Sequence, residues 1–275
     1  MPRLAILALT LAATCALQPA EAAQSYDNCT GFIDPLPATI TRQGTWCLRK
    51  DLSTSITSGA AITITANNAT IDCNDYKIGG LGAGSASQAS GISAVDRQNA
   101  TIRHCNVRGF YSGIDLLGGA GHLVEDNRLD NNLRYGIHVI GDNGRVRRNA
   151  VYDTGGAAGV STVTGIYAYA DIVDNDVQGV FAETTPSWPT GIVAFGYVAS
   201  GNRVAGLVPN VTGGGYAMGI TGFINKTSVV GNQVTAGTFQ VQGTGINSAA
   251  ICANNTVGGF STAYNGCATS SGNLP

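Results

Sequence analysis

The plan of the whole chain is visible in residues 112–129, which read SGIDLLGGAGHLVEDNRL. A Gly-Ile pair begins this stretch, a glycine-rich turn follows, and an Asn between apolar residues ends it. The Gly-Ile pair recurs at intervals of 22, 23, 29, 26, 28 and 26 residues, and its glycines are Gly91, Gly113, Gly136, Gly165, Gly191, Gly219 and Gly245. A second motif recurs with the same spacing: an Asn, or Cys in the first repeat, that is followed two residues later by Val or Leu. Its positions are Cys105, Asn127, Asn149, Asn175, Asn202, Asn232 and Asn255. Two independent marks with one drifting period indicate a solenoid in which each repeat forms one coil.

Each repeat contains short runs of alternating apolar residues, such as Ile114 and Leu116, separated by Gly, Asn and Asp. This pattern is typical of strands, and no repeat carries an apolar pattern at helical spacing that is long enough for an α-helix. One coil cannot bury its apolar side alone, whereas stacked coils enclose a continuous interior. The sequence therefore predicts strands that stack in parallel, about 4.8 Å apart.

Stacking places equivalent residues of successive coils directly above one another. We therefore expect the recurring Asn to form a column, in which each Asn tolerates a left-handed backbone and hydrogen-bonds its neighbours. Such a ladder of amides would satisfy polar groups that are buried in the turn. The predicted members are Asn127, Asn149, Asn175, Asn202, Asn232 and Asn255, with Cys105 in the first place.

Together with the alternating segment AITITANNATIDCN over residues 61–74, these features resemble the right-handed parallel β-helix repeat proteins of the pectin-lyase-like superfamily. The resemblance implies an all-β, right-handed parallel β-helix solenoid of about eight coils over residues 61–267. We expect an N-terminal cap segment over residues 23–60 and a C-terminal tail over residues 268–275, because the end coils of a solenoid are atypical. These motifs are specific for the fold but nearly silent about activity, since lyases, hydrolases, epimerases and adhesins share it.

The N terminus predicts export from the cell. Residues 1–22 combine Arg3, an apolar run over residues 4–17 and an Ala-x-Ala motif over residues 20–22, which is the pattern of a secretory signal peptide. The apolar run is too short to span a bilayer. We therefore expect a secreted or periplasmic protein without a membrane span.

Secretion gives the cysteines a structural meaning. Without Cys15 of the signal peptide, six remain, and an even number in an oxidising compartment suggests disulfides. Six cysteines allow fifteen pairings, but the repeat narrows them, because Cys73 and Cys105 belong to successive coils at nearly the same turn. The remaining expected pairs are Cys29–Cys47 at the start and Cys252–Cys267 at the last coil.

The charged residues are unevenly distributed. Only 12% of residues are charged and the formal net charge is −2, which argues against a nucleic-acid-binding surface. Residues 91–153 hold 15 of the 32 charged side chains and all three histidines, whereas residues 177–275 hold three charged side chains. Any chemistry is therefore expected in the first half of the solenoid.

The Gly-Ile strand predicts a candidate site. Ile114 and Leu116 must point inward, so the residue between them points outward. The outward residues of this strand in successive coils are Ser93, Asp115, His138, Tyr167, Val193, Thr221 and Asn247. A carboxylate, an imidazole and a phenol on one rigid face can supply a general acid or base, so Asp115, His138 and Tyr167 are the candidate catalytic residues. The candidate substrate-binding residues are Tyr111, Arg134 and Tyr135 from the preceding turns, and Tyr169, which lies two residues after Tyr167 and extends the row of aromatic side chains.

The resemblance implies that enzymes of this fold place their site on the parallel sheet, where exposed aromatic rings stack on sugars. We therefore predict a monomer that binds or processes a polysaccharide or cell-surface glycan on an outer sheet face. The alternative is a non-catalytic cell-envelope or adhesive protein, which the nearly uncharged second half favours. Whether the chain is an enzyme stays open, with a polysaccharide lyase and a glycoside hydrolase as the two candidate activities.

The chain also departs from the enzymes that it resembles. Of the polygalacturonase-type motifs only a fragment is present, at residues 121–123, and the Asp-Pro-His-Glu motif of the alginate epimerases is absent. Glycoside hydrolysis needs two carboxylates, yet Asp115 has Ser93 and His138 beside it in the predicted row. The acidic cluster over residues 171–176 leaves a Ca²⁺ site open as an alternative, but no metal or other cofactor is part of the prediction.

Overall fold

The computed structural model describes residues 26, 28–195, 197–210, 212, 214–222, 226–237, 240–247 and 249–275. The predicted signal peptide, residues 1–22, lies outside the described residues. Within them, one short 3-10 helix spans Leu81–Ala83, and no helix is long and apolar enough to cross a membrane. The remaining regular structure consists of strands that pair in parallel.

The strands in chain order are β1 (Gly31–Phe32), β2 (Ala38–Ile40), β3 (Gly44–Cys47), β4 (Leu52–Ser53), β5 (Ala60–Ile64), β6 (Ala69–Asp72), β7 (Lys77–Gly79), β8 (Ser90–Val95), β9 (Thr101–Arg103), β10 (Asn106–Arg108), β11 (Ser112–Ala120), β12 (Leu123–Glu125), β13 (Arg128–Asp130), β14 (Tyr135–Arg147), β15 (Ala150–Tyr152), β16 (Thr162–Val173), β17 (Asp176–Gln178), β18 (Trp188–Ala194), β19 (Val198–Ser200), β20 (Arg203–Ala205), β21 (Ala217–Gly222), β22 (Ser228–Val230), β23 (Gln233–Thr235), β24 (Val241–Asn247), β25 (Ile251–Ala253), β26 (Thr256–Gly258), β27 (Phe260–Asn265) and β28 (Thr269–Ser271).

These strands form the three faces of a parallel β-helix of about eight turns. The first face contains the seven Gly-Ile strands and the three strands that stack on them at the two ends (β2, β5 and β27), namely β2, β5, β8, β11, the first parts of β14 and β16, β18, β21, β24 and β27. The second face contains the strands before each Asn, namely β1, β3, β6, β9, β12, the last parts of β14 and β16, β19, β22, β25 and β28. The third face is a separate nine-stranded sheet of the strands after each Asn, from β4 to β26. Strands β14 and β16 continue around the corner from the first to the second face, with a register shift at the bend.

The core is built from columns of identical or similar apolar residues. The isoleucines of the seven Gly-Ile pairs align from coil to coil with Ile62, which follows Ala61, and all eight are fully buried, at Ile62, Ile92, Ile114, Ile137, Ile166, Ile192, Ile220 and Ile246. The glycine before each Ile is needed for close packing. At Gly136, an added Cβ would lie 2.4 Å from Val151 Cγ1 and 2.8 Å from the Gly165 carbonyl oxygen, so a larger residue would force the coils apart.

The Asn side chains lie in one buried column. Each Nδ2 donates to Oδ1 of the next member at 3.0 Å, from Asn127 through Asn149, Asn175, Asn202, Asn232 and Asn255 to Asn273. The expectation that the Asn itself takes the left-handed conformation is wrong. The residue before it does so, with φ of 55° at Asp126, 52° at Arg148 and 55° at Asp174, and this turn directs the following amide into the stack.

Both ends of the chain continue the stacking. In the segment predicted as the N-terminal cap, β1 to β4 each pair in parallel with a strand of the following coil. In the segment predicted as the C-terminal tail, β28 pairs with β25, and Asn273 receives the last hydrogen bonds of the Asn column. The sequence marks do not extend to Asn273 because no Gly-Ile pair accompanies it.

Three disulfides are formed in the described residues, and they are the predicted pairs. Their Cα–Cα distances are 5.8 Å for Cys29–Cys47, 4.7 Å for Cys73–Cys105 and 5.8 Å for Cys252–Cys267. Disulfides persist in oxidising compartments, which indicates an extracellular or periplasmic protein.

Candidate functional site

The outward residues of the Gly-Ile strands form one row across the first face. The register pairs Ser93 with Asp115, Asp115 with His138, His138 with Tyr167, and Tyr167 with Val193. Neighbouring strands of a parallel sheet lie about 4.8 Å apart. The three candidate catalytic side chains are therefore direct neighbours on a rigid surface.

Asp115 and His138 form a hydrogen-bonded pair. His138 Nδ1 lies 2.9 Å from Asp115 Oδ1, and the two side chains are 18% and 15% exposed, with Asp115 the more exposed. Ser90 Oγ donates to the other carboxylate oxygen of Asp115 at 3.2 Å. A carboxylate accepts from Nδ1–H, which assigns the lone pair of the neutral imidazole to Nε2. The pair thus holds a His in the tautomer of a general base.

Two tyrosines enclose the imidazole of His138. The ring of Tyr135 stacks on it at a centroid distance of 4.5 Å and an interplanar angle of 13°. The ring of Tyr167 meets it edge-on at 5.1 Å and 72°. Beyond Tyr167, the rings of Tyr169 and Phe195 stack in parallel at 4.2 Å. The result is an aromatic strip along the first face, formed by Tyr135, His138, Tyr167, Tyr169 and Phe195.

The remaining predicted binding residues lie beside this strip. Arg134 Nη1 donates to the hydroxyl of Tyr111 at 2.7 Å. The guanidinium carbon of Arg134 lies 4.8 Å from the ring centroid of Tyr135 and 5.6 Å from that of Tyr111. Arg134 Nε is buried and has no hydrogen-bond partner in the described part of the chain. A buried donor without an acceptor is costly.

Burial raises the pKa of two phenols of this site, which are already neutral at their ordinary pKa of about 10. The pKa of Tyr135 is raised above its ordinary value, first because burial disfavours the phenolate, although Arg134 opposes this. The pKa of Tyr167 is also raised, first by burial and then by Tyr169 and Tyr135. Both hydroxyls therefore remain protonated at neutral pH and can donate a hydrogen bond or a proton.

The site contains one carboxylate in its row, because Ser93 and His138 flank Asp115. The acidic cluster that left Ca²⁺ open is divided by the fold: Asp171 lies on the second face, Asp174 at the corner and Asp176 on the third face. No three His, Cys, Asp or Glu side chains gather to hold a metal ion in the residues that the structure describes.

Sequence reasoning did not identify Ser90 as part of this site. The signal was present, since Ser90 precedes Gly91-Ile92 as Ser112 precedes Gly113-Ile114, and the two serines are in register. Its contact with Asp115 is diagonal between two coils, so a list of aligned residues does not show it.

The comparisons with known proteins concern the fold. Residues 53–187 match the model of a family described as right handed beta helix region, and no curated protein matches the chain. The solved structure of the Dettilon tailspike protein is 16% identical with a TM-score of 0.50, over 82% of this chain and 46% of that one. The A-module of the Azotobacter vinelandii mannuronan C-5 epimerase AlgE6 is 13% identical with a TM-score of 0.40, over 90% of each chain.

The chain spans about half the length of the tailspike chain that it matches. At this identity the likeness extends to the fold alone, which is the fold that the three stacked faces, the Asn column and the family match all describe. The chain is a right-handed parallel β-helix repeat protein.

Proposed function

We propose that this protein is secreted and binds a polysaccharide along the aromatic strip of its first face, where the Asp115–His138 pair processes it. The observation that supports this most directly is the 2.9 Å contact between Asp115 and His138 within an enclosure of tyrosine rings. A carboxylate that orients a histidine, next to rings suited to apolar sugar faces, joins a proton-transfer group to a binding surface.

The aromatic strip supplies the binding energy. Tyrosine rings combine an apolar body with a polar hydroxyl, and they lose little conformational entropy when a ligand binds. The rings of Tyr169 and Phe195, stacked at 4.2 Å, continue the surface of Tyr135 and Tyr167 across successive coils. A polymer of sugars matches a strip of this kind because it offers repeated rings at repeated intervals.

Between the two candidate reactions, the geometry favours elimination over hydrolysis. Hydrolysis uses two carboxyl groups, about 5 to 9.5 Å apart, on either side of the bond that is cleaved. Here Asp115 is committed to His138 and Ser90. Elimination needs one base, one acid and a group that stabilises negative charge. His138 Nε2 would accept the carbon-bound proton, Tyr167 would protonate the leaving oxygen, and Arg134 would bind the substrate's developing negative charge.

The experiment is a screen of the purified protein against acidic and neutral polysaccharides, which follows the absorbance of unsaturated products and the release of reducing ends. His138→Ala and Asp115→Asn should each lower turnover at least a hundredfold, since general-base catalysis contributes about 10² to 10⁴. Far-UV circular dichroism should show unchanged folding.

A matched control exists in the same chain. His104 Nδ1 lies 3.3 Å from Asp72 Oδ1, so this is also a His–Asp pair, but it lies on the second-face side of the molecule. His104→Asn tolerates the left-handed backbone at this position, where φ is 50°, and it should leave turnover unchanged. Equal losses in His104→Asn and His138→Ala would mean that the assay reports stability, and the catalytic proposal would fail.

A non-catalytic envelope or adhesive role is the second candidate. The row on the first face continues as Val193, Thr221 and Asn247, and residues 177–275 hold only three charged side chains. This half is therefore nearly uncharged, and the continued row, with Val193, Thr221 and Asn247, carries no acid–base group. Polysaccharide binding without turnover, unaffected by His138→Ala, would establish this role instead of the enzymatic one.

A further inference from the structure

A concavity lies at the corner between the first and second faces, apart from the Asp115–His138 pair. It has a volume of about 430 Å³, and its side-chain lining includes His122, Arg145, Arg147, Asp171 and Tyr197. Tyr197 comes from the next coil, and the other four come from the same coils as Asp115, His138 and Tyr167, because β14 and β16 pass through both places. The candidate site on the first face does not use any of them.

The aromatic strip leads directly into this concavity. Along β16, Tyr167, Tyr169 and Asp171 occupy alternate positions, and in the next coil Tyr197 follows two residues after Phe195. Four residues of extended strand cover at most about 13 Å, so Tyr167 and Asp171 are within that distance. A ligand chain that lies along the strip therefore reaches the corner without leaving the protein surface.

At the corner, Arg145 and Asp171 form an ion pair whose charged atoms are too far apart for a direct hydrogen bond. Arg145 Nη2 and Asp171 Oδ2 are 3.7 Å apart, whereas charge-assisted hydrogen bonds between such groups are about 2.7 to 2.9 Å long. The neighbouring Arg147, by contrast, is hydrogen-bonded to Glu125, with Nε and Nη2 at 2.9 and 2.7 Å from the same carboxylate oxygen. A hydroxyl group is both donor and acceptor, so one or two hydroxyls can accept from Arg145 and donate to Asp171.

A buried histidine adds an unused acceptor. His122 is 2% exposed, and its Nε2 lies 2.9 Å from the carbonyl oxygen of Gly118. A carbonyl only accepts, so Nε2 carries the proton and Nδ1 has the lone pair. Nδ1 has no hydrogen-bond partner among the described residues. The ring lies on the wall of the concavity, and because Nδ1 itself is covered, a hydroxyl there would supply the missing donor after a small shift of the ring.

The charges around the concavity select an uncharged ligand. Arg145 faces Asp171, and Arg147 is neutralised by Glu125. No net positive charge remains for a carboxylate, sulfate or phosphate group. The unused hydrogen-bonding capacity consists of acceptors as well as donors, which suits a polyol rather than an anion.

We infer that this corner is a second saccharide subsite, which binds one neutral, hydroxyl-rich sugar unit between Arg145, Asp171 and His122, with Tyr197 against its ring. The inference rests on the proposed function in one respect, that the sugar belongs to the polymer held by the aromatic strip. Binding of a single sugar at the corner does not require the strip or the Asp115–His138 pair.

The test is a titration of ¹⁵N-labelled protein with methyl glycosides of glucose, mannose and galactose, and separately with sodium galacturonate as the charged comparison. At least one neutral glycoside should shift the backbone amide resonances of Leu123, Arg145 and Asp171. Arg145→Met and Asp171→Asn should each raise its dissociation constant about tenfold, which corresponds to about 1.4 kcal/mol.

Two controls separate this inference from the proposed function. His138→Ala should leave the corner shifts unchanged, so that loss of polysaccharide turnover and loss of the corner site are independent results. Asp176→Asn alters a closed pair on the third face, where Arg203 Nη1 lies 3.1 Å from Asp176 Oδ1, and should have no effect. The inference is overturned if no neutral glycoside shifts the three amides, if the shifts persist in both corner variants, or if galacturonate binds more tightly than every neutral glycoside.

Discussion

Replacing Asn149 by Ala tests whether the buried column stabilises the stack. Asn149 is 2% exposed and lies in the middle of the column. Its Oδ1 accepts from the backbone N–H of Asn127 at 3.1 Å and from Asn127 Nδ2 at 3.0 Å. Its Nδ2 donates to the carbonyl of Val124 at 2.9 Å and to Asn175 Oδ1 at 3.0 Å. One truncation therefore interrupts contacts to the coil below and the coil above.

The size of the effect follows from the groups that lose these contacts. The backbone N–H of Asn127 and the carbonyl of Val124 lose a partner in a place that water does not reach. Each buried group left unsatisfied costs about 1 to 3 kcal/mol, so Asn149→Ala should lower the free energy of unfolding by about 2 to 5 kcal/mol. Asn149→Asp keeps the size and the Oδ1 acceptor but loses the Nδ2 donor, and it should be destabilising as well.

The measurement is urea unfolding followed by far-UV circular dichroism with the disulfides intact. The matched control is Asn265→Ala, which removes an exposed amide whose Nδ2 donates to Asn247 Oδ1 at 3.0 Å. An exposed contact of this kind should change stability by about 0.5 kcal/mol at most. If the free energies of unfolding of Asn149→Ala and Asn265→Ala differ by less than about 1 kcal/mol and the two variants have the same m-value, the column is not a source of stability and the reasoning is refuted.

Two further predictions concern the Cys73–Cys105 disulfide and the ion pair between Asp126 and Arg148, which lies beside the Asn column. Replacing Cys73 and Cys105 together by Ala removes a bond with a sequence separation of 32 residues. The chain-entropy relation then gives a loss of about 4 kcal/mol in the free energy of unfolding, and a loss below about 1 kcal/mol in urea unfolding would contradict it. Arg148 Nη2 donates to Asp126 at 2.7 Å, and this hydrogen bond holds the pKa of the Asp126 carboxyl below its ordinary value. A carboxyl group whose pKa is lower in the folded state than in the unfolded state stabilises the folded protein at pH values above its unfolded pKa, about 3.9. This contribution is lost as the pH falls through the folded pKa. The stability difference between the natural protein and Asp126→Asn should therefore be largest near neutral pH and shrink below about pH 4, and a difference that is constant down to about pH 2 would exclude this pair as its source.

The architecture was predictable because a solenoid repeats its local pattern. The spacing of Gly113, Gly136 and Gly165 defines the coil, and the alternation around Ile114 defines which side chains face inward. Both are properties of consecutive residues, so they can be read without three-dimensional information. The Cys73–Cys105 disulfide followed from the same logic, because these residues lie at nearly the same turn of successive coils.

The candidate site was predictable only as a row. Period-two alternation placed Asp115, His138 and Tyr167 on one face, and the register of the strands has them as neighbours. The contacts within that row depend on side-chain rotamers and on diagonal neighbours. The hydrogen bond from Ser90 and the stacking of Tyr135 on the imidazole are of this kind.

The amino-acid sequence by itself determined the coil, its period, its inward and outward residues and the members of most of the Asn column, because each of these repeats within a few tens of residues. The tertiary structure alone decided where the chain bends at each corner. The bend between the second and third faces assigns the left-handed conformation to Asp126 rather than to Asn127, and it places Asp171 and Asp176 on different faces although they are five residues apart. It also brings His122 next to Arg145 and Tyr197 in one concavity. The physical reason is that a period records how residues align along the stack, whereas the angle at a corner depends on the packing of all the coils around it.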